Sequence, residues 1–151
     1  MFEHVRKLLR DERKPKATPE EERQLAAAVL LLEVARADFD HQPAEREVLR
    51  ASLARDFRVP PSALDALLQK AEAEVKQSVS LFDFVQTLNR TMIPEAKRSL
   101  LKRLWEVAHA DGRIDPQEEA LLRRIADMLY LSHTDFIRGK LEAEKPNTSG
   151  Q

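Results

Sequence analysis

The string Glu-Val-Ala-x-Ala-Asp occurs twice, as Glu33–Asp38 and as Glu106–Asp111. The offset of 73 residues also relates Pro43 to Pro116, Glu45 to Glu118 and Leu49 to Leu122. Between 33–49 and 106–122, eight of seventeen positions are identical. A unit repeated at this distance predicts a fold built twice around one hairpin: an apolar helix, an acidic turn, and a second helix opening at proline. It also singles out the turn, because core packing alone does not call for a repeated carboxylate there.

Length and composition narrow the class. At 151 residues the chain reads as one domain, residues 1–143, with halves at about 19–78 and 81–143. An accessory helix and linker (1–16) precede them, and a flexible tail (144–151) follows. Hydrophobic residues make up 42% and charged residues 34%, with 3 Gly and 5% aromatics. Ala, Leu, Glu and Arg at helical spacing predict an all-α bundle of seven to eight helices and no strand. The net charge of −1 gives no field that favours nucleic acid. The absence of Cys removes disulfides, thiolate metal sites and cysteine catalysis together. No apolar run is long enough to span a bilayer, and residues 1–10 lack a signal-peptide core, so a cytoplasmic protein without a transmembrane segment is expected.

Helix starts are legible from capping chemistry. A short acceptor side chain followed three residues later by an acid occurs at Thr18…Glu21, Ser62…Asp65, Ser80…Asp83, Asp115…Glu118 and Ser132…Asp135. Pro19, Pro43, Pro94 and Pro116 mark first helical positions, where a missing donor is harmless. The predicted helices are 2–11, 19–37, 43–57, 62–78, 81–90, 94–110, 116–130 and 133–143. Leu25, Val29, Leu32 and Ala35 form one stripe, but Leu30, Leu31 and Val34 fill the other sides, so 19–37 should be central. Leu100, Leu101, Leu104, Val107 and Ala108 place 94–110 there as well. The first segment is amphipathic and basic, with Phe2, Val5, Leu8 and Leu9 against Arg6, Lys7 and Arg10.

In the second turn, Gly112 supplies the left-handed conformation that ends a helix, Ile114 packs between helices, and Asp115 and Glu118 form a capping box. Capping therefore accounts for Glu118, and less well for Glu45, whose partner position holds Gln42. Asp38 and Asp111 are different, because a carboxylate at a helix C-terminus opposes the macrodipole by about 0.3–1 kcal/mol. Either an Asx turn offsets that cost, or Asp38, Glu45, Asp111 and Glu118 gather round a divalent cation or a basic partner. The spacing is not that of an EF-hand. Ca, Mg, Mn and Zn are not distinguished.

Glu106-x-x-His109 is half of a di-metal bundle motif, but its duplicate, Glu33-x-x-Arg36, holds an Arg that cannot ligate. A metal-dependent enzyme using Glu106, His109 and Asp111 is the competing class, and a scaffold whose acids only cap helices is a third. Lys97, Arg98, Lys102 and Arg103 read as a solvated helix face that an anionic partner could use. Trp105 belongs either to that surface or to the core.

Asn89-Arg90, Lys97-Arg98, the helix ending Trp105-Glu106-Val107-Ala108-His109-Ala110-Asp111-Gly112, and Glu118-Glu119 with Arg124-Ile125-Ala126-Asp127 together resemble the TerB-like family. This is the tellurite-resistance-associated group, which also includes N-terminal domains of some membrane-anchored J-domain co-chaperones. The resemblance spans roughly 20–143. It implies an internally duplicated helical domain without established enzymatic activity, tied to stress responses. It further implies divalent-metal binding through acids, here Asp38, Glu45, Asp111 and Glu118, and association with other proteins in a membrane complex, at the inner face of the membrane. The first copy departs from the pattern: Phe39 stands at the place of Gly112, and His41 at that of Ile114. The oligomeric state is open.

Overall fold

A computed structural model of the chain describes residues 17–37, 43–77, 80–110, 112 and 114–144. These residues form seven helices and no strand: α1 (Pro19–Ala37), α2 (Pro43–Asp56), α3 (Pro61–Lys76), α4 (Leu81–Thr91), α5 (Pro94–His109), α6 (Pro116–Met128) and α7 (His133–Glu144). The all-α expectation holds. The helix expected at 2–11 lies outside the described residues.

Local chemistry explains most of the boundaries. Thr18 accepts the Glu21 N–H at 3.1 Å ahead of Pro19. Ser80 accepts from Phe82 at 3.2 Å. Ser132 and Asp135 exchange both bonds of a capping box, at 3.0 and 3.2 Å. The cap expected at Ser62 is not made. Pro60 is extended (φ −62°, ψ 146°) and Pro61 takes the first helical position, so the helix begins a residue earlier and Ser62 already lies inside it. Gly112, at φ +87°, is left-handed as expected, and its N–H reaches the His109 carbonyl at 2.8 Å.

Two helices close without glycine. Arg58 (φ 55°) follows α2, and Tyr130 (φ 61°) follows α6, both in the left-handed region that bulky residues seldom enter. After Tyr130 the Leu131 N–H returns to the Ala126 carbonyl at 3.0 Å and the Tyr130 N–H to Asp127 at 3.0 Å, the bonding pattern of a Schellman motif.

Helix α1 is the axis of the bundle, packing on α2, α3, α4, α5 and α6. Its residues Ala26 to Leu32, with Val34 and Ala35, are all buried, which is why an all-round apolar sequence is stable there. Helix α5 packs on α1, α2, α6 and α7 and buries Leu100, Leu101, Leu104, Val107 and Ala108. Trp105 is core: it is fully buried, its ring lies 4.9 Å from that of Phe136, and its Nε1 donates to the Phe136 carbonyl at 3.1 Å.

The two pairs α1/α2 and α5/α6 are fastened alike. Gln24 Nε2 on α1 donates to the Phe57 carbonyl at 2.9 Å, and Lys97 Nζ on α5 donates to the Leu129 carbonyl at 3.3 Å. Each acceptor immediately precedes a left-handed residue, Arg58 or Tyr130.

Candidate functional site

The acidic positions are reached through the starts of α2 and α6. In both helices a proline occupies the first position and a glutamate the third, Glu45 and Glu118. Both glutamates are fully buried. Glu118 completes the expected capping box: Asp115 accepts the Gln117 N–H at 2.7 Å, and Glu118 Oε1 accepts the Asp115 N–H at 3.1 Å. Ile114 is half-buried against the core, as expected. Asp38 and Asp111 lie outside the described residues. Among the described residues no three His, Cys, Asp or Glu side chains converge as a metal would require. What the geometry provides is a pair of carboxylates withdrawn from water, and such groups stay ionised only where hydrogen bonds or a cation compensate for lost hydration.

The basic residues do not form the single solvated face expected of them. Lys97 is buried, with only 9% exposed. It shares the i, i+4, i+7, i+11 stripe of Leu101, Leu104 and Ala108, so its stem packs inward. Its ammonium closes a backbone carbonyl at the end of α6 and lies 5.8 Å from the Tyr130 ring. Arg98 is exposed and Lys102 half-buried. Arg103 is bound on two sides, to Asp56 at 2.7 Å and to Glu106 at 2.9 Å. The hydrogen bond it donates to Asp56 first, then those it donates to Glu106, hold this guanidinium above arginine's ordinary range against the opposing effect of burial. Arg98 and Lys102 instead border, with Glu95 of the same helix, a cleft of about 300 Å³ between α5 and α7 whose other wall carries Asp135 and Glu142.

Glu106 and His109 point to different tasks. Glu106 is engaged by Arg103. His109 stacks loosely near Trp105, with ring centroids 6.2 Å apart, and its Nε2 lies 3.7 Å from Glu144 on α7. Neither the α5/α7 cleft nor a second one of about 610 Å³, by Phe57, Met92 and Ile93, includes either residue. That second cleft has no counterpart in the sequence analysis, since it is assembled from ends of helices far apart along the chain.

The sequence profile of the family described as tellurite resistance protein TerB matches residues 24–141. The chain belongs to the TerB family. The TerB match runs from the second turn of α1 to the last turn of α7, so it takes in both glutamates and the helices that bury them. A crystal structure of a protein of unknown function from Porphyromonas gingivalis W83 has the same fold as this TerB chain. Its TM-score is 0.60 at 21% identity, with 87% of this chain and 98% of that one covered. No curated protein matches.

Proposed function

We propose that this TerB domain works by binding rather than by catalysis, as a module of a stress-response system of the tellurite-resistance type. Its two acidic turns hold a divalent cation, and its helical surface docks other proteins of a membrane-associated complex. The observation that carries this reading is the pair Glu45 and Glu118: two fully buried carboxylates, each at the third position of a proline-started helix that follows an Asp-bearing turn. Capping accounts for the Oε1 of Glu118. A site made of carboxylate oxygens suits Ca²⁺, Mg²⁺ or Mn²⁺ better than Zn²⁺. Asp38 and Asp111 complete the ligand set, and any bound cation would serve to fix the turns and present them to a partner. Among the described residues no helix is long and apolar enough to cross a membrane.

Calorimetric titration of chelator-stripped protein with each of Ca²⁺, Mg²⁺, Mn²⁺ and Zn²⁺ tests the proposal. Heat of binding is expected for at least one oxygen-preferring ion, weakened at least tenfold by Asp111→Asn and by Asp38→Asn. Silence with all four ions removes the cation, and unchanged affinity in both variants removes the turns.

A further inference from the structure

The cleft of about 610 Å³ opens where the first turns of α1, the loop after α2 and the junction between α4 and α5 meet. Its volume falls within the roughly 300–1,000 Å³ typical of small-molecule sites. Phe57, Met92 and Leu100 give it apolar walls, and Ile93 adds an aliphatic side chain that is 65% exposed. A hollow of this kind needs a polar anchor before it prefers one ligand over another.

The charges on the lining leave one residue for that task. Glu20, Arg23, Asp56 and Arg58 all border the cleft. Glu20 is paired with Arg23 on the same helix, and Asp56 accepts at 2.7 Å from Arg103, which stands outside the lining. Both carboxylates are thereby compensated. Among the described residues Arg58 makes neither an ion pair nor a side-chain hydrogen bond. The charge left over at the cleft is therefore a single positive one.

The backbone at Arg58 points the same way. Its φ of 55° lies in the left-handed region, where glycine or asparagine would sit at lower cost. The flanking residues are fixed. Phe57 and Val59 are buried, the Phe57 carbonyl accepts from Gln24 at 2.9 Å, and the Val59 N–H donates to the Leu53 carbonyl at 3.1 Å. Strain of this kind, held in place by its surroundings, gathers at ligand sites. A guanidinium so placed binds a carboxylate through two parallel N–H···O bonds. One surplus positive charge matches one negative charge, whereas a dianion would bring its second charge towards Glu20 and Asp56. We infer that the cleft binds a small organic monoanion, an aliphatic carboxylate whose head group takes Arg58 and whose chain lies against Phe57, Met92 and Ile93. The site is separate from the acidic turns and needs no cation there.

Titration of the isotope-labelled full chain with sodium decanoate, kept below micelle formation and followed by heteronuclear NMR, tests this. Saturable shifts are expected at the amides of Arg58, Met92, Ile93 and Ala96. Arg58→Gly should weaken the affinity at least tenfold while melting no lower than the parent, because glycine suits the left-handed backbone. Ile93→Asp, at an exposed position, should weaken it as well. Shifts that do not saturate, or unchanged affinity in either variant, overturn the inference. So does an equal response to decyltrimethylammonium, which carries the same chain under a positive charge, or to inorganic phosphate, which has no chain.

Discussion

Gly139 sits tightly against the indole of Trp105, and a single methyl group probes that contact. A Cβ built on Gly139 would lie 3.0 Å from Trp105 Cδ1, 3.4 Å from its Nε1 and 3.6 Å from Leu101 Cγ. The indole has little room to retreat, being fully buried, set against Phe136 and bonded through Nε1 to the Phe136 carbonyl. Alanine in a helix interior is favoured over glycine by roughly 0.5–1 kcal/mol. Forcing an extra methyl into a filled core costs about 1–3 kcal/mol. Overpacking wins, and Gly139→Ala should lose about 1–2 kcal/mol, moving the urea midpoint down by roughly 0.5–1 M. Trp105→Ala removes every indole atom that meets the new methyl, so in that background the alanine at 139 should be neutral or stabilising. Urea unfolding of the four chains of this cycle, followed by far-UV circular dichroism, gives the coupling energy, expected at about 1 kcal/mol or more. An equal loss in both backgrounds, or a gain in the parent, would refute the reasoning.

Asp115→Ala should cost about 0.5–2 kcal/mol by thermal melting and Asp115→Asn only a few tenths; equal losses would mean the Gln117 bond is not what matters. Lys97→Met keeps the buried stem but drops the bond to the Leu129 carbonyl, for a loss of about 0.5–1.5 kcal/mol, and Lys97→Ala should lose more. If Lys97→Ala proves no worse than Arg98→Ala, its exposed neighbour, the buried reading of Lys97 is wrong. Arg103→Met severs the tie from α5 to α2 and should cost on the order of 1 kcal/mol at low salt, less at high salt, since these groups are about a third exposed. Because the guanidinium is held above its ordinary range, that contribution is complete below arginine's unfolded value and fades only as pH climbs through the folded one. The gap between parent and Arg103→Met should therefore stay constant from about pH 7 to about pH 10; a shrinking gap in that window would sink the assignment.

The helices could be read because their starts are written in short-range chemistry: the caps Thr18, Ser80, Asp115 and Ser132, with Pro19 and Pro116 behind the first and third. Ser62 misled because the same rule applies one residue earlier, to Pro61, and position overrides composition. The centrality of α1 and α5 was legible from apolar residues on every side. The inward turn of Lys97 was within reach, since its spacing from Leu101, Leu104 and Ala108 placed it on the buried stripe; the charge on the residue type concealed it. The capping role of Glu118 could be read from spacing alone, whereas its complete burial and that of Glu45 could not, because burial is decided by which neighbouring helices close over the turn. The cleft beside Ile93 was illegible for the same reason, as no local pattern records the meeting of α1, α2, α4 and α5.

The central place of α1 has a consequence for how the chain acquires its shape. Helix α1 rests on α2 and α3 from its own half and on α4, α5 and α6 from the other, so a fragment cut between residues 78 and 81 would leave its most apolar helix bare along much of its length. Neither fragment should be stable by itself. Mixed together, they should complement one another and melt in one cooperative step, which makes the two halves a single folding unit despite the sequence they share.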